Sequence, residues 1–182
     1  MIQPKQFVNK QGESITIRTA LPEDAKWIIE YTKSIFNEAP YLITTLDEFH
    51  ITHEQQEQFL KTILDDEGKL ALLAEYQGNI IGFLDFHNGS KLRNKHQGSF
   101  GMSIAKAYRN QGVGKSLLKV LLDWAEENPL IEKVCLEVFA ENENAIALYK
   151  RTGFVEEGRS RKAVKINEEQ YHDLILMAYF TK

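Results

Sequence analysis

The chain has 182 residues, a formal net charge of −4 and one cysteine, Cys135. A lone cysteine excludes an intrachain disulfide and a cysteine-rich metal cluster, and the mild acidic charge argues against a nucleic-acid binder, which needs clustered Lys and Arg. The length fits one domain over residues 1–182. Because no apolar run reaches the about 18 residues of a membrane span and the start lacks a signal-peptide core, we expect a cytoplasmic protein without a membrane partner.

The first predicted elements are a short alternating strand at 15–18, a helix from about 25 to 36, and a second helix through about 64. The first helix carries an apolar stripe at helical spacing. The second opens at Thr52-His-Glu-Gln55, which has the pattern of a capping box. The segment between the helices, 37–49, is broken by Pro40 and is predicted to be irregular.

Three apolar runs follow, at 70–76, 80–86 and 98–105, and they predict an antiparallel meander. Gln77-Gly-Asn79 joins the first two as a hairpin turn. A polar loop is predicted from His87 onward. An amphipathic helix then runs from Val113 to Glu127.

The last third predicts a strand at 131–139, a short helix at 142–151, and a hairpin of strands at 154–166 and 171–180. The continuous apolar character of 131–139 is typical of a strand covered on both faces. The strand–helix–strand unit from Ser99 to Phe139 is long enough for a right-handed parallel crossover. We therefore expect an α/β fold, with a mixed sheet and helices on both of its faces.

One segment carries most of the functional information: Tyr108-Arg-Asn-Gln-Gly-Val-Gly-Lys-Ser116, between a strand and a helix. Two glycines at a helix start leave backbone N–H groups bare, and the helix dipole makes them an anion site. The Gly114-Lys-Ser116 ending suggests a P-loop nucleotide binder. That motif, however, needs a glycine where this chain has Arg109, so the P-loop interpretation is the weaker one.

The pattern Arg109-x-x-Gly112-x-Gly114 after a strand resembles the pyrophosphate-binding motif of the GNAT superfamily of N-acetyltransferases. The stretch 142–154 is similar to a second signature of that superfamily, and the stretch 15–20 is similar to the superfamily's opening strand and turn. The ending, from Glu157-Gly158 to Met177, resembles the branch that includes ribosomal-protein alanine and spermidine acetyltransferases. The resemblance covers essentially the whole chain, and implies a mostly antiparallel sheet with one parallel strand pair splayed at the cofactor site.

The resemblance also implies the chemistry: an acetyl group passes from acetyl-CoA to a primary amine, which attacks the thioester directly, without a covalent enzyme intermediate. No metal is expected, because His50 and His53 have no convincingly placed third ligand. Tyr149 matches the tyrosine that protonates the departing thiolate in relatives, a role that suits a phenol, although it also fits an aromatic packed on a helix. Asn142 matches a cofactor contact and is equally a good helix N-cap. Asn144 stands where relatives often carry arginine. The implied cofactor-binding residues are Met102, Ser103, Ile104, Arg109, Asn110, Gln111, Gly112, Val113, Gly114, Lys115, Ser116, Asn142 and Tyr149.

The general base is less well defined, because a glutamate that some relatives carry early on the strand before the loop is absent here. The candidates are Glu137, Asp85 and Glu38. Glu137 is predicted as the catalytic one, since a carboxylate in an apolar strand should face a cleft or pair with a cation. Relay through water stays open.

The expected acceptor is a small-molecule amine or a peptide N-terminus, and dimerisation is common in the family. Two alternatives remain: a CoA-binding domain without catalysis, and the P-loop nucleotide binder.

Overall fold

One eight-stranded sheet organises residues 1–181, the part of the chain that the computed structural model describes. The strands are β1 Lys5–Val8, β2 Ser14–Thr19, β3 Lys69–Tyr76, β4 Asn79–Asn88, β5 Gln97–Ile104, β6 Lys133–Phe139, β7 Val155–Lys165 and β8 Tyr171–Phe180. The helices are α1 Ala25–Glu38, α2 His53–Leu64, α3 Val113–Glu127 and α4 Glu143–Arg151, and single 3₁₀ turns lie at Pro22–Asp24, Leu46–Glu48 and Lys106–Tyr108.

The strands lie in the order β1-β2-β3-β4-β5-β6-β8-β7. Every neighbouring pair within residues 1–181 is antiparallel except β5 and β6, which α3 connects as a parallel crossover. The predicted α/β fold, with a mostly antiparallel sheet and one parallel pair, is therefore confirmed.

The helices cover both faces of the sheet because side chains alternate along each strand. On β3, Ala71 and Leu73 pack under α1 and α2, whereas Leu70 and Leu72 belong to the larger core under α3. The Leu117–Leu121 stripe of α3 is fully buried there. None of the helices within residues 1–181 has the length and apolar content of a membrane-spanning segment.

The structure differs from the sequence prediction at three strands. β1 was not predicted; it is a four-residue edge strand whose residues alternate between half-buried and exposed. β4 extends through Asn88, so His87 lies in a strand rather than in a loop. β6 is fully covered on one face, where Val134, Leu136 and Val138 are buried; on the other face Phe139 is buried but Glu137 is exposed.

The parallel pairing of β5 with β6 covers only three register pairs and ends at Ser99 and Cys135. β5 continues to Ile104 along β4, and β6 continues to Phe139 along β8. A gap therefore opens inside the sheet between the second halves of the two parallel strands, and it sets the position of the candidate site.

Candidate functional site

The gap between β5 and β6 presents free backbone groups. The Ala105 N–H donates to the Ile81 carbonyl, and the Gly89 N–H donates to the Gln97 carbonyl. The odd-numbered residues of β5 therefore direct their peptide groups at β4. Because antiparallel pairing alternates, the residues between them, Met102 and Ile104, point their peptide groups at the gap. No β6 residue among those described pairs with either.

A cleft of about 930 Å³ opens at this gap. One side is formed by the start of α3 and by α4, and the other by the end of α1 and the segment 39–42. Of the residues predicted to bind a cofactor, Gln111, Val113 and Ser116 do not line the cleft, and Val113 lies in the core. The structure brings together the others: Met102, Ser103, Ile104, Arg109, Asn110, Gly112, Gly114, Lys115, Asn142 and Tyr149.

The glycine-rich loop ends in an uncapped helix N-terminus. Gly112 is the N-cap of α3 and has φ +97°, a left-handed conformation that favours glycine. The Ser116 N–H is bonded back to the Gly112 carbonyl at 3.0 Å, so the three N–H groups before it are the ones that helix geometry leaves without partners. No side chain caps them and the first turn carries no acid. Such a terminus attracts anions.

The N-terminal hairpin of β1 and β2 is hydrogen-bonded to this loop. The Lys10 N–H donates to the Gln111 carbonyl at 3.0 Å, and Asn9 Nδ2 donates to Gln111 Oε1 at 3.1 Å. Gln111 Nε2 in turn donates to the Ala107 carbonyl at 2.6 Å. Gln111 therefore holds the loop in shape rather than facing the cleft. The same hairpin places Lys10 in the cleft lining, a residue that sequence reasoning missed because β1 was not recognised.

Arg109 closes the cleft against α1. Its Nε donates to the Ile104 carbonyl at 2.9 Å, and its Nη2 lies 3.8 Å from Glu38 Oε2. The Glu38 carboxylate also accepts the Lys106 N–H at 2.8 Å. Glu38 is thus engaged by a cation and a backbone donor, an arrangement that does not suit a free general base.

The charged side chains that line the cleft are all cationic: Lys10, Arg109, Lys115 and Arg151. No Asp or Glu occurs among the described lining residues. Combined with the bare N–H groups of α3, this lining is complementary to a ligand with several phosphates.

Tyr149 lies at the cleft wall with 8% of its surface exposed. Its ring packs against Phe100 and Phe154, with centroid distances of 6.0 and 5.7 Å. Burial raises the pKa of Tyr149 to about 12. The hydroxyl therefore keeps its proton at neutral pH. Within residues 1–181 no protein group accepts a hydrogen bond from it, so it is available as a donor to a ligand.

Asn142 performs the capping role that its type predicts, since its Oδ1 accepts the Ala145 N–H at 3.3 Å. It also lines the cleft, as does Asn144. Glu137, by contrast, lies outside the cleft lining; it is exposed on the sheet face opposite the α3 core.

A second cavity, of about 550 Å³, lies on the sheet face away from α3. It contains a pair that the sequence did not reveal: His87 Nε2 lies 2.8 Å from Asp85 Oδ2. The two residues are separated by one position in β4, so alternation puts them on one face. The extension of β4 through Asn88 creates this pair, and for that reason a reading of His87 as a loop residue missed it.

The chain is similar to known proteins over most of its length. Residues 30–154 match the model of the Acetyltransferase (GNAT) family. The chain is similar to the L-amino acid N-acetyltransferase AaaT of Escherichia coli (strain K12), with 27% identity over 128 residues that cover 70% of this chain and 78% of that relative.

Two solved structures share the fold. An acetyltransferase of the GNAT family from Streptococcus pneumoniae has a TM-score of 0.88 and 28% identity, over 92% of this chain and 99% of that one. The structure of yncA from Salmonella typhimurium, solved with its cofactor acetyl-CoA, has a TM-score of 0.80 and 18% identity, over 92% and 94% of the two chains.

Proposed function

Because the chain belongs to the Acetyltransferase (GNAT) family, we propose that it transfers an acetyl group from acetyl-CoA to a primary amine by direct attack of the amine on the thioester. We also propose that residues 1–182 act as one catalytic domain. The observation that carries the proposal is the cationic cleft at the interrupted β5–β6 pairing, with a bare helix N-terminus at one end and Tyr149 in its wall.

The pyrophosphate of acetyl-CoA is assigned to the start of α3. The N–H groups of Val113, Gly114 and Lys115 would bind its oxygens, because these are the donors that the helix leaves unpaired. A Cβ on Gly114 would meet only ordinary contacts at 3.5 Å from Leu148 and Met102. Packing alone therefore does not require a glycine at position 114, whereas close approach of the pyrophosphate would.

The pantetheine arm is assigned to the gap. The Met102 N–H and carbonyl, and the Ile104 N–H, lie on the edge of β5 that β6 leaves unpaired, whereas the Ile104 carbonyl is already taken by Arg109. An amide-containing arm pairs with such an edge as a strand does. Either the Met102 N–H or the Ile104 N–H would polarise the thioester carbonyl.

Tyr149 is proposed to support the leaving sulfur. Its pKa of about 12 lies above the about 8.5 of an ordinary thiol, so full proton transfer to a thiolate is less favourable than for an unperturbed phenol. A buried neutral hydroxyl remains a strong hydrogen-bond donor to developing negative charge. We therefore propose that the main role of Tyr149 is to stabilise the thiolate, and that proton delivery is its lesser role.

Glu137 stays a prediction as the group that takes the proton from the amine. Its carboxylate forms no ion pair within the described chain and lies on the exposed side of β6, the side opposite Tyr149. The substitution Glu137→Gln tests it: a general base contributes about 10²–10⁴-fold to the rate, so turnover within three-fold of the wild type would exclude the role.

The experiment for the whole proposal is a panel of amines, including amino acids, polyamines and peptides with free N-termini, assayed by release of thiol from acetyl-CoA. Thermal shifts with acetyl-CoA, CoA and ATP run beside it. Stabilisation by acetyl-CoA with amine-dependent thiol release supports the proposal. Binding of CoA without thiol release would favour a non-catalytic CoA-binding domain, and stabilisation by ATP alone would favour the nucleotide binder.

A further inference from the structure

The second cavity lies beside the point where the sheet opens. Its lining includes Gly98 to Gly101 of β5 and Cys135 of β6. Ser99 and Cys135 form the last register pair of the two strands. The cavity therefore covers the start of the gap from the face opposite α3, while the 930 Å³ cleft holds Tyr149 on the α3 side.

Gly101 leaves the space beside Asp85 free of a side chain. Gly101 is the register partner of Asp85 on β5, and a Cβ built on Gly101 would lie 3.6 Å from Asp85 Oδ1. Gly101 is exposed, so no side chain stands between the Asp85–His87 pair and the edge of β5. Phe100 connects the two faces: it lines the cavity, and its ring contacts Tyr149.

We propose that this second cavity is the subsite for the acceptor amine, and that His87, oriented by Asp85, accepts a proton from the amine in place of Glu137; the Glu137→Gln and His87→Ala variants distinguish the two bases. The proposal rests on the acetyl transfer described above and assigns to it a binding site and a base. It places the acceptor and Tyr149 on opposite faces of the sheet, with the interrupted pairing of β5 and β6 between them.

The geometry of the pair suits proton acceptance. The contact between His87 Nε2 and Asp85 Oδ2 makes Nε2 the protonated nitrogen, which leaves the lone pair on Nδ1. The ring is held by Phe59 of α2 at a centroid distance of 5.4 Å. The two side chains are 36% and 28% exposed, so both are sheltered yet reachable from the cavity.

The charges around His87 favour a cationic acceptor. Lys69, its register partner on β3, is neutralised by Asp66 at 2.8 Å. On β5 the neighbour is the uncharged Ser99, and on α2 it is Phe59. Lys91, Arg93 and Lys95 of the neighbouring loop are outside the cavity lining. Within the lining, and with neutral His87, the Asp85 carboxylate supplies a negative charge, which attracts an ammonium group.

The proton balance of the reaction defines what the pair must do. An ammonium acceptor loses two protons as its nitrogen bonds to the acetyl carbon and the carbon–sulfur bond breaks. The first proton passes to His87 Nδ1 and then to solvent, which frees the attacking lone pair. The second ends on the CoA sulfur, the atom that Tyr149 is proposed to serve.

The test compares His87→Ala with His96→Ala, using the full chain, acetyl-CoA and whichever amine of the panel the wild type acetylates. Removal of the base should lower kcat/KM by about 100-fold or more, while acetyl-CoA affinity stays within two-fold, and added imidazole should restore at least ten-fold of the loss. The His96 side chain is outside the cavity lining, so His96→Ala should match the wild type.

A His87→Ala protein with wild-type turnover, or one that imidazole does not restore, would overturn the assignment while leaving acetyl transfer intact. A wild type that binds acetyl-CoA and acetylates no amine would instead remove the proposed function, and this inference with it.

Asp85 is a positioning residue in this proposal, so its test needs a separate readout. Asp85→Asn should lower kcat by about ten-fold with little change in the KM for acetyl-CoA, and Asp85→Glu should recover part of the activity by restoring the carboxylate. Equal activity of the Asn and Glu variants would show that the charge of Asp85 has no role.

Discussion

Arg109 Nε donates a hydrogen bond of 2.9 Å to the carbonyl oxygen of Ile104, and so ties the glycine-rich loop to the last residue of β5. The same guanidinium approaches Glu38 at the end of α1. One side chain therefore joins three elements that form the cleft. This arrangement gives Arg109 a structural role that is separate from any contact with a phosphate.

We predict that Arg109→Ala lowers the free energy of unfolding by about 1–3 kcal/mol, because the Ile104 carbonyl loses a charged donor, and that acetyl-CoA affinity falls with it. Arg151→Ala is the control, since Arg151 lines the cleft and forms no ion pair within residues 1–181. Arg151→Ala should reduce the affinity for acetyl-CoA without lowering the free energy of unfolding. Urea unfolding and calorimetric titration measure the two effects, and unchanged stability of Arg109→Ala would contradict the structural role.

The two loop glycines should respond differently to substitution. Gly112→Ala should cost about 1–2 kcal/mol of stability, because φ +97° is strained for a residue with a Cβ. Gly114→Ala meets only ordinary contacts and should leave the stability unchanged or slightly raised, yet weaken acetyl-CoA binding by placing a methyl group where the pyrophosphate approaches. Retention of full affinity by Gly114→Ala would argue against phosphate binding at this loop.

Tyr149→Phe should lower kcat by about 10–100-fold, because it removes the hydroxyl that stabilises the leaving sulfur. The ring contacts with Phe100 and Phe154 are preserved, so acetyl-CoA affinity should stay within two-fold. Tyr179→Phe is the matched control, as the Tyr179 hydroxyl is bonded to Glu126 at 2.7 Å, outside the cleft lining. Similar turnover for both variants would exclude the proposed role.

Tyr149 also predicts how stability depends on pH. Burial raises its pKa to about 12 in the folded state, above the about 10 of an exposed tyrosine. The folded state therefore holds the proton more tightly, a contribution that is complete below pH 10 and is lost between about pH 10 and 12. The free energy of unfolding should fall by about 2 kcal/mol over that window.

Urea unfolding at a series of alkaline pH values measures this loss, and Tyr149→Phe should show a shallower one. Burial also raises the pKa of Tyr31, whose hydroxyl contacts Ser103, so the double variant should be the least sensitive. An identical pH dependence for wild type and variants would show that neither hydroxyl titrates differently on unfolding.

Lys10 should contribute to cofactor affinity through its charge. We expect Lys10→Ala to weaken acetyl-CoA binding by about 3–10-fold at low salt and less at high salt, because exposed charges are screened. Lys5→Ala is the control, since Lys5 belongs to the same hairpin and pairs with Asp123 at 3.2 Å. A salt-independent effect at Lys10 would indicate that the substitution disturbs the loop instead.

The features that could be predicted from the sequence are those encoded by neighbouring residues. The apolar stripe of α3, the Thr52 capping box, the Asn142 cap and the order of the long strands all depend on short spacings, and the structure confirms them. The glycine-rich loop was recognisable for the same reason.

The features that were missed depend on contacts between distant residues or on what covers a strand. Arg109 and Glu38 are 71 residues apart, and no local pattern connects them. β1 is short and half-buried, so its alternation is weak. The interpretation of 131–139 as a strand covered on both faces was wrong at Glu137, which is exposed although Phe139 on the same face is buried. Burial there depends on which elements reach β6, and that is a property of the assembled fold.

Because the pairing of β5 with β6 is interrupted, the sheet has two unpaired edges in its interior, one on the second half of each strand. Free edges elsewhere invite pairing with other chains, but these two face each other within a single molecule. A bound pantetheine arm would complete the hydrogen bonding as a strand without side chains. Cofactor binding would then be the last step of sheet assembly, and slower amide hydrogen exchange at Met102 and Ile104 would be its direct signature.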